Sequence, residues 1–447
     1  MSDLLSIGAS GVRTYQTALT TTSENIANAG NTSYVRRTPS INEIVGGNGW
    51  NTSSPNGKGA SASTILRSGN EYADQSLRTA SADLSRTQTG SVWLERIESA
   101  LGSGGLSSRM TAFFAAGTAL QADPSSTALR AGMLSAGSSV ADAFGVTARA
   151  LDGAAAELDG QAGQATAELT RLNQAMLKVN QGLVRTAPGT SAMAGLMDQR
   201  DDILQQMSAL SDISVSMDTA GRATVRAGGA NGPVLVDPRD ASEVVYGRTG
   251  GNVGIAVRRP GADVALYDPD GGSLAGMVEG AQRIAANRDA LQRVATDLTT
   301  TVNDLQAQGE DLKAVKGTDF FEANPKDATD FKVKLGSGDL IAAARTGGGS
   351  RDASNLAQLN TARATKGFEG SVQALVTDNA ATLKQRRLVG DAQTAIRDGA
   401  ITTRSELTGV NLDNEAVDLL KFQQAYQASS RVIQVAKETF QSILEIR

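Results

Sequence analysis

Cysteine and histidine are both missing from the 447 residues. With them go thiolate nucleophiles, imidazole bases, disulfides, Cys/His zinc sites and the catalytic triads built on them. Aromatic residues make up only 4% of the chain against 40% hydrophobic residues, and there are 48 glycines. The cores are therefore expected to be aliphatic and rich in small residues, with helices packed at close range. A net charge of -5 offers no positive footprint for nucleic acid or an anionic membrane surface. No apolar run reaches the length of a membrane span, and the first residues lack the basic and apolar regions of a cleaved secretory signal. The length favours more than one domain.

What is present is periodicity, clearest at the two ends. Leu5, Val12, Leu19 and Ile26 recur every seven residues, with Gly8, Tyr15 and Thr22 three residues behind. At the other end Leu412, Leu419, Tyr426, Ile433 and Phe440 repeat likewise, and Phe422, Ser429, Ala436 and Ile443 complete the stripe. Both read as coiled-coil seams. Neither is backed by enough i,i+4 ion pairs to stand alone, so the simplest expectation is that the terminal helices pair with each other.

Residues 31–61, crowded with Gly, Asn, Ser and Pro, predict turns and short strands. Helical spacing returns over 71–102, again near 106–120, and after Asp123-Pro124-Ser125 it runs on to Val179. From Ile213 the period becomes two, in six short runs ending at Val264–Tyr267, which predicts a small antiparallel β-region closing near Gly272. Helix resumes from Leu274 to Leu305 and, after a mixed stretch at 320–340, from Phe368 to about Arg397. The predicted class is mainly α with a small β insertion. Its expected layout is a terminal coiled-coil polymerisation domain (1–60 and 401–447), a helical-bundle middle domain (61–212 and 273–400) and an antiparallel β outer domain (213–272).

Few residues invite chemistry. Asp198-Gln199-Arg200-Asp201-Asp202 offers paired acids, but acids so close on a helix more commonly bind arginine. Asp268-Pro269-Asp270-Gly271-Gly272 begins like a calcium loop with Glu279 at its twelfth position, yet Gly272 and Ser273 replace a ligand and the turn glycine. Gly102-Ser103-Gly104-Gly105 lacks the Lys-Ser/Thr of a phosphate loop and reads as a helix stop. No catalytic residue, cofactor site or metal site emerges, and the chain is read as non-enzymatic.

Two terminal segments resemble the flagellar rod, hook and hook-associated axial protein family. One is Ala18-Leu19 with Ser23-Glu24-Asn25-Ile26-Ala27-Asn28 and Asn31-Thr32-Ser33-Tyr34-Val35-Arg36. The other is Gly409-Val410-Asn411-Leu412-Asp413-Asn414-Glu415-Ala416 with Phe422-Gln423-Gln424-Ala425-Tyr426. Inside, Leu196-Met197-Asp198-Gln199-Arg200-Asp201 narrows the resemblance to the hook-associated branch that joins hook to filament. Ser33 stands where the family commonly has Gly, and the chain is short for that branch, as if an outer domain were missing. The resemblance implies a structural subunit of the flagellum outside the cell, exported by the type III route without a cleaved signal. It further implies contacts with further copies of the chain, the hook protein, the third hook-associated protein and a cytoplasmic export chaperone. Asn25, Asn28, Tyr34, Asp198, Gln199, Arg200 and Asp201 carry the motif. Rival readings are a hook or distal-rod protein, and a secreted glycan hydrolase with flagellar targeting ends.

Overall fold

The computed structural model describes residues 2–44, 57–249, 252–324 and 327–445. Helix α1 (Ser2–Ala27) leads into the hairpin β1 (Arg37–Glu43) and β2 (Ala60–Arg67). Four helices follow, α2 (Glu71–Ser103), α3 (Leu106–Ala122), α4 (Thr127–Arg185) and α5 (Ser191–Leu210). Six strands come next: β3 (Ile213–Met217), β4 (Ala223–Ala227), β5 (Val234–Val236), β6 (Glu243–Thr249), β7 (Asn252–Arg258) and β8 (Ala265–Tyr267). After α6 (Gly272–Gln308) come β9 (Gly309–Glu310), β10 (Phe321–Asn324), β11 (Asp327–Val333) and β12 (Ala344–Arg345). The chain ends in α7 (Ser354–Lys366), α8 (Phe368–Thr408) and α9 (Leu412–Glu445).

Local chemistry starts these helices where they start. Asn70, Ser126 and Thr190 each accept a backbone N–H three residues ahead, at the heads of α2, α4 and α5. At α9 the Asn411 side chain accepts from Asp413 and Asn414, and Asp413 and Glu415 place negative charge in the first turn. The four residues Gly102–Gly105 do end one helix and begin the next, α2 stopping at Ser103.

Helix α4 is the spine, 59 residues and ~90 Å long at about 1.5 Å per residue. Its buried stripe runs through Val140, Phe144, Leu151, Leu158, Leu169, Leu172 and Met176. Around it pack α2, α3, α5 and α6, while α8 lies along α2. The class is as the periodicities imply, mostly helical with small antiparallel sheets.

Three expectations differ. The six strands form two separate three-stranded sheets, β3-β4-β5 and β6-β7-β8, and the described residues of 213–272 share the helices' core and form none of their own. Val225, Leu235, Val236, Val244, Ile255 and Val257 are buried in the same cluster as the helices. Asparagines on α4 fasten them: Asn180 donates to Ala223 O (2.8 Å) and accepts from Ala223 N (2.9 Å), and Asn173 donates to Ser242 O (2.9 Å). Three short strands expose both faces of a sheet, so they are stable only when one face is covered. Second, the boundary expected at 400/401 falls inside α8, which runs unbroken to Thr408, and that at 60/61 falls inside β2. A 13-residue helix, α7, was also not foreseen in the stretch before Phe368.

Third, the core is not aliphatic throughout. Seven of the nine phenylalanines belong to the buried cluster. They form a continuous chain of ring contacts: Phe144–Phe331, Phe331–Phe321, Phe321–Phe320, Phe320–Phe113, Phe113–Phe114 and Phe114–Phe368, with centroids 4.6 to 6.0 Å apart. A scarce residue type concentrated at one end joins α3, α4, β10, β11 and α8 with few side chains, because each ring buries a large area.

Candidate functional site

The stretches that carry sequence motifs converge where α1 and α9 meet the body. Helices α1 and α9 run antiparallel. Gly8 faces Ile433, Gly11 faces Ser429, and the rings of Tyr15 and Phe422 lie 6.4 Å apart. A Cβ at Gly8 would lie 2.7 Å from Ile433 Cγ1, so the helices approach because no side chain separates them.

The seam residues are not all drawn in. Phe422 is buried, and Val12, Tyr15, Leu19, Ile26, Leu419, Tyr426 and Ile433 are half-buried. Leu5, Leu412 and Phe440 are about half exposed, at 47%, 55% and 53%. Ile443 lies on α9, but its side chain is outside the described residues. On α1 the buried stripe joins Gly8 and Thr22 of the expected seam to Gly11, Thr14, Ala18 and Asn25, one step round the helix from the heptad of large residues. Gly8 and Gly11 face α9, Thr14 donates to Ala60 O of β2 at 2.8 Å, and the larger heptad residues flank them.

At the far end of this stripe Asn25 is 1% exposed and uses its whole amide. Its Nδ2 donates to Arg37 O (2.8 Å) and Glu415 Oε2 (2.9 Å), while Oδ1 accepts from the Tyr34 hydroxyl (2.8 Å) and Arg37 N (3.1 Å). One side chain thus joins α1, the loop after it, β1 and α9. Glu415, also 1% exposed, accepts from Arg36 Nε at 2.6 Å. The Arg37 guanidinium stacks 4.7 Å from the centre of the Tyr34 ring. Burial pushes the Tyr34 phenol up to about 12 against the opposing pull of Arg37.

The hairpin register sets the next layer. Arg37 of β1 pairs directly with Arg67 of β2, a like-charge juxtaposition that is unfavourable alone. Asp198 on α5 resolves it with one oxygen for each, Oδ2 to Arg37 and Oδ1 to Arg67, both at 2.8 Å. Asp201, one turn on, accepts from Arg67 (2.6 Å) and from Arg200 (2.9 and 2.7 Å). For Arg67, burial lowers the pKa, but Asp201 and Asp198 more than offset it and hold it above the ordinary arginine value. Buried pairs of this kind add little net stability yet are costly to break, so they specify one docking geometry.

Of the motif residues, Asn25, Tyr34, Asp198, Arg200 and Asp201 come together. Gln199 is exposed, and Asn28 closes the end of α1 by donating to Glu24 O at 2.8 Å. Ser33 needs no glycine: among the described residues the only non-glycine with positive φ is Ala314, and the Ser33 hydroxyl donates to Asp202 (2.9 Å). Glu279, the twelfth position of the calcium-like loop, is turned to Arg86 and Arg386. Arg36, Arg37, Arg67 and Glu415 also form the knot; Arg36 and Glu415 lie within the family-like segments, whereas Arg37 and Arg67 carry no motif. The adjacent arginines in an otherwise uncharged extended stretch were the available signal. Chemically the arrangement is a joint. Both oxygens of Asp198 and both of Asp201 accept from guanidinium donors.

Comparison with known proteins agrees with this geometry. Residues 94–321 match the family model for the flagellar hook-associated protein FlgK helical domain, and residues 402–446 match that for the C-terminal region of flagellar basal body rod FlgEFG proteins. The flagellar hook-associated protein 1 of Bacillus subtilis (strain 168) is 23% identical, over 96% of this chain and 95% of its own. The solved flagellar hook junction protein FlgK from Burkholderia pseudomallei shares the fold with a TM-score of 0.50 at 17% identity, over 56% of this chain and 47% of that one. The helical-domain match spans half of the chain, and on it the chain belongs to the flagellar hook-associated protein FlgK family.

Proposed function

We propose that the chain is a structural subunit of the flagellum at the hook–filament junction, a mechanical adapter on which filament assembly depends. The observation that carries this is the contrast between the two sides of the terminal helices. On one side the arginine–carboxylate knot fastens α1 and α9 to the body. On the other, Leu412, Val417, Leu420, Val435 and Phe440 of α9 stay exposed, as do Leu388, Ile396 and Ile401 of α8. So much outward apolar surface marks a contact with other chains.

In this reading residues 1–60 and 401–447 are the part that polymerises with neighbouring copies. The hook protein lies on one side and the third hook-associated protein on the other, and a cytoplasmic chaperone covers the C-terminal helix before export. Its place is outside the cell, and no helix among the described residues is long and apolar enough to cross a membrane. The rival hook or rod reading is disfavoured by the helical-domain match over 94–321, and the hydrolase reading by the committed acids of α5.

The test is deletion of the coding region, with electron microscopy of the cell surface and assay of the medium. Hooks without filaments and unpolymerised flagellin in the medium are the expected outcome. Normal filaments would overturn the reading, and loss of hooks would move the protein to the rod or hook.

A further inference from the structure

A groove of about 520 Å³ opens between the α1–β1 loop, α2, α5 and the end of α8. Arg78 of α2 lines it, and also lines a second depression of about 310 Å³. Arg78 is only 7% exposed, yet among the described residues its guanidinium has no hydrogen-bond or ion-pair partner. Of the carboxylates around it, Asp74 is committed to Arg404 at 2.6 Å, Asp201 to Arg67 and Arg200, and Asp202 to Ser33 and Gln206, while Glu71, on the rim of the second depression, is exposed and makes no hydrogen bond to it. Burial lowers the pKa of Arg78, with Asp74 and Asp201 opposing. The guanidinium thus opens on both depressions with five donors and no acceptor bonded to it among the described residues, and the nearby carboxylates offset its burial only in part. The lining also includes Ile401, which is 45% exposed.

A matching face exists on the same chain. On α9, Asp413, Val417 and Leu420 stand at i, i+4 and i+7 and so share one side of the helix. Val417 and Leu420 are 65% and 59% exposed, and the Asp413 carboxylate has no partner among the described residues. The acceptor holds an unpaired cation beside an exposed aliphatic residue, and the donor holds an unpaired anion beside two. We propose that Arg78 is a carboxylate receptor, filled in the assembled axis by Asp413 from α9 of a second copy, with Val417 and Leu420 covering Ile401. The proposal rests on the assembly reading above. Because donor and acceptor are different patches, the contact is head-to-tail and propagates instead of closing as a two-fold dimer.

The experiment compares Arg78→Met and Asp413→Asn, each as purified full-length chain and in cells lacking the native copy. Arg78→Met should melt no lower than the parent, since an unpaired buried charge gives way to an apolar side chain. Both variants should retain filaments about tenfold less well, the worth of one charge-assisted contact. In a third strain Ile401→p-benzoylphenylalanine, irradiated on assembled flagella, should give an adduct of twice the chain's mass. A clearly lower melting temperature for Arg78→Met would make Arg78 an internal prop and end the proposal. So would full filament retention by both variants in a host whose deletion strain has none, or an adduct with a different protein. If the deletion strain itself keeps normal filaments, the junction reading fails, and the mass of the adduct still decides the contact.

Discussion

Asp198 is the residue on which two cross-strand arginines depend. Asp198→Asn keeps the shape but leaves the facing guanidiniums of Arg37 and Arg67 without a shared anion, and should cost about 3 kcal/mol in urea denaturation at neutral pH. Tyr34 gives a pH-dependent test. Its phenol titrates near 10 in the unfolded chain and at about 12 when folded, so its contribution is intact below pH ~10. It is lost as the pH rises towards 12, because the unfolded chain releases the proton first; two pKa units correspond to roughly 3 kcal/mol. Tyr34→Phe should cost about 1 kcal/mol at pH 7 for the lost hydrogen bond to Asn25. The gap from the parent should then narrow and reverse between pH 10 and 12; a gap independent of pH would refute this account.

Among the elements, α1 and α9 differ from the rest in how they are held. Their contact is made by small residues, so its strength lies in backbone proximity and not in side-chain area. Gly8→Val would drive a branched side chain into Ile433 and into the backbone of α9, at a cost of about 1–3 kcal/mol. The loss should be read as faster amide exchange along both helices, while α4 is unchanged. Gly153 on α4 has open space around its Cβ, so Gly153→Ala should stabilise by roughly 0.5–1 kcal/mol in the same experiment. At this scale the sequence was legible wherever a period lasted: α2, α3, α6 and the six strands of 213–272 lie close to where spacing put them. It failed at α7, which buries only Asn355, Leu356 and Leu359 over its whole length and leaves too weak a stripe to read.

For the whole molecule, one hydrophobic cluster runs from α2 through α8 and includes both three-stranded sheets, while α1 and α9 stand outside it. Protection from amide exchange should therefore be graded in the free chain, highest in α4 and α6 and lowest in α1 and α9. Equal protection at both ends and in the spine would remove the argument that the terminal helices gain their stability by assembly. The same division explains the site. Asp198–Asp201 was legible as a motif and as an arginine-binding stretch, but its partners Arg37 and Arg67 lie 161 and 131 positions away.

Composition and period alone determined that the chain is mainly helical with a β insertion, that Cys and His chemistry is closed to it, and that its ends carry long one-sided helices. Those properties depend on residues within a few turns of one another, where spacing reports structure directly. Only the tertiary structure decided that the β-region shares the helical core and that seven phenylalanines gather into one chain of rings. It alone also set Gly8 and Gly11, and not the heptad leucines, at the closest approach of α1 and α9, and left Arg78 buried without a hydrogen-bond partner among the described residues. Each of these outcomes turns on which distant segments meet and in what register, and local periodicity carries no information about that.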